Sequence, residues 1–450
     1  MSNRREFIKK TSGLLASAVV LSPSALLTSF KSQNLRTAHI GVGGMGMEDL
    51  KAIASHNAVQ VTALCDVDSR ALKAASELFP NAKTYTDYRI MLRELDQSID
   101  AVVVSTPDHT HAPASMLAME KEKAVYCQKP LTHHVTEARA MNKKAKEKNL
   151  VTQMGIQVHS FYDYKLATQL IQAGVIGKVS KVIAWSQSMW GYDGPVPEGK
   201  DPVPEYLDWN LWLGTAKDRD YKEGYYHPAN WRKLVDYGCG TLGDMGVHIF
   251  DTPYNALSLD IPYTIKNECR EPNGYGFPET NVVTYEFPGT KYTTEKIQWI
   301  WYDGIGAPAA QKDLELPDPK ETLHDQGAMF VGEKGRLFLP HFMELPRLII
   351  DGKYQELDYS IIEESIRPKG VPVRNYDEES KEHYHQFVDA CLGNGKCTAP
   401  FSYAARLTET ILLGVIAGYF PNQTLHWNSE TSRFDEEAAN KYLDAPYREF

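Results

Sequence analysis

Apolar residues in the first third of the chain form short runs that alternate with segments of helical periodicity. Four such runs are present: residues 37–40, 59–64, 101–105 and 124–127. Between the first two runs, Leu50, Ile53 and Ala54 recur at the spacing of one helix face. Strands that are apolar throughout and alternate with helices are typical of a parallel sheet covered by helices on both sides. The pattern predicts a doubly wound α/β domain over residues 35–155.

After residue 155 the pattern changes to longer segments that are rich in β-branched and aromatic residues. The predicted strands are residues 179–189, 281–287, 292–302, 335–339 and 347–350. Turn sequences such as Pro288-Gly289 and Asp351-Gly352 separate some of them, which is typical of hairpins. The predicted helices are residues 164–173, 383–392 and 407–420. We therefore predict an α+β domain over residues 156–450 with a large open, mainly antiparallel sheet.

The first 31 residues differ in character from the rest of the chain. Arg4 and Arg5 precede a stretch, residues 11–30, that carries no charge and is diluted by serines and Pro23. This is the pattern of a twin-arginine export signal, so we expect a periplasmic protein. The stretch is not apolar enough for a stable membrane span, although a retained signal anchor stays possible. The alternative is the frayed start of a cytosolic enzyme.

Composition and charge narrow the class of partner. The chain of 450 residues is 42% hydrophobic and 24% charged, as is usual for a soluble globular protein. Its net charge is −10 and it has no basic block beyond the N-terminus, which argues against nucleic acid as a partner. The six cysteines have no metal-site spacing, and neither a metal site nor a disulfide is predicted.

A glycine-rich segment follows the first predicted strand and precedes a helix. It matches the pattern G-x-G-x-x-G and reads Gly41-Val42-Gly43-Gly44-Met45-Gly46. Glycines allow a tight turn and a close approach to a pyrophosphate, which the helix N-terminus then attracts. Asp66 ends the next strand 20 positions after Gly46, where a carboxylate can bind ribose hydroxyls and repel a 2′-phosphate. The segment predicts a Rossmann dinucleotide-binding domain that prefers NAD to NADP, although Arg70 lies near enough to weaken that preference.

Three further residues are candidates for catalysis. Lys129 follows a predicted buried strand, and Pro130 ends that strand at the sheet edge where ligands of such folds bind. Asp244 and His248 are four positions apart, so on a helix they share one face and the carboxylate could orient the imidazole. Alcohol oxidation needs a base that takes the hydroxyl proton, and histidine suits that task. Taken alone, the same residues also fit a solvated lysine and a surface pair.

These motifs resemble the Gfo/Idh/MocA oxidoreductase family over essentially all of residues 35–450. The resemblance implies that Lys129 binds and polarises the reacting oxygen and that His248 acts as acid and base. It adds cofactor contacts at the end of the third apolar run and in a Thr-Pro-x-x-x-His segment: Ser105, Thr106, Pro107 and His111. The family's Glu-Lys-Pro motif has Gln128 in place of the glutamate, which removes a charge beside the cofactor. Family members commonly pair their open sheets, so a homo-oligomer is expected.

Aromatic residues concentrate in the irregular, proline-rich stretch that follows the second domain's first strand. Five of the eight tryptophans lie in or close to this stretch: Trp185, Trp190, Trp209, Trp212 and Trp231. Flat aromatic faces suit the C–H faces of pyranose rings, although each tryptophan could instead fill the core. Trp231, Arg232, His159 and Tyr164 are the predicted substrate contacts. Long irregular segments in compact domains are usually functional.

The sequence thus predicts an exported NAD-dependent oxidoreductase that transfers a hydride at a hydroxyl carbon of a sugar or glycoside. One alternative is an NAD-dependent glycosidase that oxidises a ring hydroxyl, eliminates the aglycone and reduces the ring again. A second alternative is a regulator that binds sugar or nucleotide without turnover. The presence of Lys129, Asp244 and His248 together favours an enzyme.

Overall fold

The first 120 residues of the folded part form a six-stranded parallel sheet. The computed structural model describes residues 34–305, 313–318, 320–341, 343–358 and 376–450, so the predicted export signal lies outside the described residues. The strands are β1 (Leu35–Ile40), β2 (Val59–Cys65), β3 (Lys83–Tyr85), β4 (Ala101–Val104), β5 (Ala124–Gln128) and β6 (Thr152–Gly155). The helices between them are α1 (Met45–Ala54), α2 (Ser69–Leu78), α3 (Tyr88–Glu94), α4 (Asp108–Glu120) and α5 (Val135–Glu147).

The strand order in this sheet is β3-β2-β1-β4-β5-β6, and every neighbouring pair is parallel. The order reverses between β1 and β4, which opens a crevice at their carboxyl ends where ligands of doubly wound sheets bind. The predicted doubly wound α/β architecture is confirmed. Two strands, β3 and β6, were not predicted, because their sequences, Lys-Thr-Tyr and Thr-Gln-Met-Gly, lack an apolar run.

The second sheet has ten strands in the order β14-β13-β12-β11-β7-β10-β9-β8-β15-β16. Its strands are β7 (Val179–Ser186), β8 (Thr264–Glu268), β9 (Asn281–Pro288), β10 (Thr293–Asp303), β11 (Gln326–Gly332), β12 (Arg336–Pro340), β13 (Arg347–Ile350), β14 (Lys353–Gln355), β15 (Thr424–Asn428) and β16 (Arg433–Phe434). All neighbouring pairs are antiparallel except β7 with β10. The predicted mainly antiparallel sheet is therefore confirmed.

Helices cover one face of the second sheet and connect it to the first. They are α6 (Tyr162–Gln172), α7 (Trp209–Leu213), α8 (Val247–Ala256), α9 (Tyr376–Leu392) and α10 (Phe401–Ala417). Along β10 alternate residues are buried, and Trp299 stacks on Phe250 of α8 with ring centroids 4.2 Å apart. From the C-terminal part of the chain, α9 packs on α1 and α10 packs on α5. None of the helices in the described part of the chain has the length and apolar character to cross a bilayer.

Residues 190–237, here called the aromatic insertion, form little regular structure beyond α7 and a short 3₁₀ turn at Asn230–Lys233. Their apolar side chains make a separate cluster with Tyr275: Leu207, Trp212, Leu213, Tyr221, Tyr226, Trp231, Leu234 and Tyr237. The insertion docks on the first domain, since Ser69 donates its backbone N–H to Tyr206 O at 2.8 Å and Asp208 to Val67 O at 3.0 Å. This places the insertion over the crevice of the parallel sheet.

Candidate active site

A cavity of about 790 Å³ lies at the carboxyl ends of β1 and β4, within the range of ~300–1,000 Å³ that is usual for small-molecule sites. One wall is the glycine turn with Asp66, and the facing wall comes from the aromatic insertion. Lys129 and Arg232 line the same cavity. The cavity therefore joins the predicted nucleotide site to two of the predicted substrate and catalytic residues.

The glycine turn brings the backbone close to two neighbours, which explains its sequence. Gly41 has a φ of +80°, and a Cβ there would lie 2.6 Å from Ser105 O. A Cβ on Gly46 would lie 2.2 Å from Gly41 O, so no side chain fits at the start of α1. Gly43, Gly44 and Met45 line the cavity, where the unpaired N–H groups of a helix N-terminus attract an anion.

Asp66 is fixed by backbone donors at the adenosine end of the cavity. Its Oδ2 accepts from Val42 N at 2.8 Å and its Oδ1 from Asp68 N at 2.9 Å. Burial raises the pKa of this carboxyl and the two N–H donors oppose that rise. Each carboxylate oxygen has a further lone pair, so Asp66 can still accept from ribose hydroxyls.

A contact that we call the clasp joins the first domain to the aromatic insertion beside Asp66. Asp68 accepts from Arg70 Nη2 at 2.7 Å and lies 2.8 Å from His227 Nε2, while the Arg70 guanidinium carbon is 3.4 Å from the ring centroid of Tyr206. Burial raises the pKa of Asp68, but hydrogen bonds from Arg70 and His227 outweigh it and bring the pKa to about 2. Arg70 is thus engaged by Asp68 and Tyr206. The sequence did not reveal Asp68, because its partner lies 159 positions away.

Lys129 and Arg232 converge on one oxygen of Asp244. Lys129 Nζ donates to Asp244 Oδ1 at 2.7 Å, and Arg232 Nε donates to the same atom at 3.1 Å. Burial raises the pKa of Asp244, but the two cations outweigh it and bring the pKa to about 2. The expectation that Asp244 orients His248 is wrong. Residues Leu242–Gly246 form a π-helical turn, and the Asp244 carboxylate is bonded to Lys129 and Arg232 instead.

His248 lies behind these ion pairs, next to a second histidine. Its ring centroid is 6.1 Å from that of His341, whose Nδ1 is hydrogen-bonded to the hydroxyl of Tyr164. Burial, with added repulsion from Lys129 and His341, lowers the pKa of His248 well below its usual range. The imidazole is therefore neutral at pH 7 and can accept a proton. Within the described residues its Nδ1 has no hydrogen-bond partner.

Besides Asp244 and His248, three predicted ligand contacts lie outside the cavity lining. His111 is bonded at both ring nitrogens, to Thr106 O at 2.8 Å and Pro130 O at 2.9 Å, so it holds two loops together. His159 Nδ1 lies 2.9 Å from both carboxylate oxygens of Asp251. Tyr164 is buried against His341. Each of these side chains is bonded to another part of the protein, which spacing in the sequence does not show.

The tryptophans of this region divide into three groups. Trp185 is buried in the second sheet and stacks on Phe338, so it belongs to the core. Trp209 and Trp212 stack with centroids 4.7 Å apart inside the insertion. The Arg232 guanidinium carbon lies 4.3 Å from the ring of Trp231 and 5.4 Å from that of Trp190. Of the predicted substrate contacts, Trp231 and Arg232 line the cavity.

Comparison with known proteins agrees with this geometry. Residues 35–156 match the model of an oxidoreductase family with an NAD-binding Rossmann fold, and residues 154–274 match the C-terminal alpha/beta domain of the same family. The chain belongs to the Gfo/Idh/MocA oxidoreductase family.

Curated relatives include sugar dehydrogenases and a glycosidase. Inositol 2-dehydrogenase of Salmonella typhimurium is 26% identical over 42% of this chain and 56% of its own length. A glycosyl hydrolase family 109 protein of Stenotrophomonas maltophilia is 34% identical over 28% of this chain and 29% of its own length. The chain thus spans about half the length, or less, of the curated relatives it matches. The structure of a levoglucosan dehydrogenase in complex with NADH and levoglucosan shares the fold, with a TM-score of 0.62, 15% identity, and coverage of 88% of this chain and 99% of that one.

The residues of this Gfo/Idh/MocA protein fit NAD. Gly44 faces the cavity, since a Cβ there would meet no protein atom within 4 Å. The glycine turn thus leaves space beside its backbone that larger side chains would fill. Asp66 offers oxygen acceptors for ribose hydroxyls and negative charge against a 2′-phosphate. Ser105, Thr106, Pro107 and Gln128, the cofactor contacts that the family resemblance implies, line the same cavity.

Gln128, which replaces the family's glutamate, is bonded to a buried carboxylate. Its Nε2 donates to both oxygens of Asp49 at 2.9 Å. Ser105 Oγ and the Tyr384 hydroxyl also donate to Asp49, at 2.6 and 2.7 Å. Burial raises the pKa of Asp49 to about 6, and these donors limit the rise. The Asp49 carboxylate, which lies behind Gln128, therefore supplies the negative charge that the family's glutamate would carry. Residue 128 must be an amide to donate a hydrogen bond to this carboxylate.

We expect Gln128→Glu to destabilise the protein, because it places a second carboxylate against Asp49. Losing a hydrogen bond to a buried charged group costs about 1.5–3 kcal/mol. The two carboxyls would share a proton with a folded-state pKa above about 6, so the folded state binds more protons than the unfolded chain. The stability that this shared proton contributes is thus fully present below an unfolded pKa of about 4 and is lost as the pH rises through the folded-state pKa. Chemical unfolding at pH 5 and pH 8 measures this.

The double variant Gln128→Glu/Asp49→Asn is the matched control. It exchanges donor and acceptor across the same contact, so most of the lost stability and its pH dependence should be recovered. Equal stability of Gln128→Glu and the original protein at pH 8 would contradict the assignment.

Proposed function

We propose that this protein is an NAD-dependent oxidoreductase that transfers a hydride at a hydroxyl-bearing carbon of a sugar or glycoside. The observation that carries the proposal is the position of Lys129. Its ammonium lines the cavity that begins at the nucleotide turn, and it is paired with Asp244 beside a neutral His248. A cation that binds the substrate oxygen and a base that takes its proton are the groups that alcohol oxidation requires.

The chain's own residues would act as follows. Lys129 holds the reacting hydroxyl and stabilises the negative charge that develops on its oxygen. His248 accepts the hydroxyl proton during oxidation and returns it during reduction. Bound NAD supplies the hydride acceptor or donor. Asp244 keeps Lys129 and Arg232 in place through its Oδ1 atom.

A sugar or glycoside is the substrate class that the walls of the cavity favour. Trp212 and Trp231 line it with flat apolar faces, and Arg232 adds hydrogen-bond donors. Aromatic faces beside polar donors suit pyranose rings, which have C–H faces and hydroxyl edges. The names of the relatives, inositol 2-dehydrogenase and levoglucosan dehydrogenase, agree with this class.

A second candidate is hydrolysis by transient oxidation, in which the hydride removed from the ring is later returned. The similarity to a glycosyl hydrolase family 109 protein favours it. So does the clasp, because an insertion bonded across the nucleotide cavity favours a cofactor that stays bound between half-reactions. In both candidates Lys129 and His248 have the same roles.

We also propose, from Arg4 and Arg5, that the protein is exported to the periplasm, and, from the family's open sheets, that it is a homo-oligomer.

One experiment tests the function and separates the two candidates. One portion of the purified protein is denatured, and the released nucleotide is identified. A second, native portion is incubated with a panel of glycosides, and the products are analysed by mass spectrometry. A product 2 Da lighter than the glycoside supports net oxidation, whereas free sugar and aglycone without net oxidation support the hydrolytic cycle. Absence of both products across the panel, from protein that contains NAD, would contradict the proposed function.

A further inference from the structure

The part of the cavity lined by Lys129 and Arg232, here called the substrate end, contains more fixed positive charge than fixed negative charge. Lys129 and Arg232 both line the cavity, and both form their ion pair with the same atom, Asp244 Oδ1. Asp244 is ionised, because the two cations bring its pKa to about 2. One carboxylate therefore balances two cations.

The other carboxyl in this part of the cavity is that of Asp108, and its negative charge does not fully neutralise the second cation. Asp108, the first residue of α4, is only 3% exposed and lines the cavity. Among the described residues it has no ion pair, and the charged and titratable groups that act on it are Arg232, Asp244, Lys129 and the Cys239 thiol. Burial raises the pKa of Asp108 to about 7, so its carboxyl is not fully ionised at pH 7.

The histidines nearby do not change this balance. Burial lowers the pKa of His248 well below its usual range and that of His341 to about 3, so both rings are neutral. The set of Lys129, Arg232, Asp244 and Asp108 thus has a net charge between zero and +1 at pH 7. An uncharged ligand would leave the excess charge in place, and an anion would neutralise it.

Arg232 presents a fixed donor for such an anion. The faces of Trp231 and Trp190 lie on its guanidinium, its Nε is bonded to Asp244, and its Nη1 points to Ala229 O at 3.4 Å. Among the described residues Nη2 has no hydrogen-bond partner. A guanidinium that is already held in place loses little freedom on binding, and its geometry matches that of a carboxylate.

We propose that the substrate is an acidic sugar or glycoside, of the uronic acid class, whose carboxylate binds Arg232. The inference rests on the proposed function, since it takes the cavity to be a sugar site. It also has a consequence for Asp108. A bound anion disfavours the ionised form of a neighbouring carboxyl, so binding should be accompanied by proton uptake at and above pH 7.

Calorimetric titration of the NAD-loaded protein tests the proposal. The probes are the methyl glycosides of glucuronic and galacturonic acid, each compared with the neutral methyl glucoside or galactoside, at pH 7.5. At least one acidic probe should bind about 10- to 100-fold more tightly than its neutral counterpart, which is the usual range for a charge-assisted hydrogen bond. Titrations in phosphate and in Tris should show proton uptake for the acidic probe only.

Three variants assign the effect to residues. Arg232→Met should reduce the preference for the acidic probe to about threefold or less, since Lys129 still neutralises Asp244. Asp108→Asn should keep the preference and remove the proton uptake. Arg433→Met is the control, because Arg433 pairs with Glu437 at the surface, away from the cavity, and should change neither quantity.

The outcomes distinguish this inference from the proposed function, because binding and turnover are measured separately. Equal or tighter binding of the neutral probes, no binding of either acidic probe, or an unchanged preference in Arg232→Met would overturn the inference. Preferential binding of an acidic probe without hydride transfer would support the inference and contradict the proposed function. Oxidation of neutral glycosides in preference to acidic ones would support the function and overturn the inference.

Discussion

Replacing His248 or Lys129 by alanine is expected to lower kcat/KM for the true substrate by about 10²–10⁴-fold each. Removing His248 removes the base that takes the hydroxyl proton, and removing Lys129 removes the cation that stabilises the developing alkoxide. Neither residue belongs to the glycine turn, so the amount of NAD bound per protein should stay nearly the same. The measurement is kcat/KM on a glycoside that the original protein converts, together with the nucleotide content of each preparation.

The control for this experiment is His426→Ala. His426 pairs with Glu436 on the surface at 2.8 Å, so its loss should leave both activity and NAD content unchanged. If either His248→Ala or Lys129→Ala keeps near-original kcat/KM, the role assigned to that residue is wrong. Loss of NAD in both variants would instead indicate that they act on the cofactor site.

The pH dependence of kcat/KM gives a second check on the base. Because burial lowers the pKa of His248 well below its usual range, its neutral form persists as the pH falls from 8 to 6. A step near pH 7 is expected from Asp108, whose pKa is about 7, and this step should disappear in Asp108→Asn.

The sequence predicted the parts of this structure that depend on neighbours along the chain. The glycine turn could be predicted because its motif is local in sequence and Gly46 meets the backbone of Gly41 within the same βα unit, and the alternation in β10 shows which of its residues face the core. Strand β6 could not be predicted in this way. Only Met154 of its four residues is strongly apolar, yet all four are buried, because α9 and α10, more than 200 positions later, contact them.

Long-range pairing also explains the errors at the candidate site. Asp244 and His248 are four positions apart, but the π-helical turn and the attraction of Lys129, 115 positions away, decide where the carboxylate binds. His111 matches a family motif, although its role here is to bridge two backbone carbonyls. Asp108 lies inside the same motif and was overlooked, because its importance comes from burial beside Lys129 and Arg232, which only the folded chain shows.

We expect that substitutions that break the clasp will release bound NAD faster, so that it exchanges with free nucleotide. With the clasp intact, protein purified without added nucleotide should contain NAD and should act on substrate in a closed cycle without added NAD. Asp68→Ala removes the N-cap of α2, the pair with Arg70 and the contact with His227, so NAD should dissociate about 10²-fold faster. His227→Ala removes only the contact to the insertion, and about tenfold faster release is expected.

Asp87→Ala is the matched control for the clasp. Asp87 caps α3 and accepts from Arg89 at 2.7 Å, in the same arrangement as Asp68 with Arg70, but it does not line the cavity. If release were accelerated by general loosening of the domain, Asp87→Ala would accelerate it as well. The rate is measured by mixing the holoprotein with excess labelled NAD and following exchange.

The intact protein itself provides the strongest test of retention. An exported enzyme would meet no free NAD pool, so a cofactor that dissociated after each turnover would stop the reaction, whereas a clasped cofactor could be reduced and reoxidised in place. That favours either transfer between two sugars or the oxidise–eliminate–reduce route. If the protein is isolated empty, and is active only with millimolar NAD while forming one NADH per turnover, retention is wrong and an ordinary dehydrogenase is the better description. Unchanged NAD exchange in both Asp68→Ala and His227→Ala would show that the clasp does not hold the cofactor.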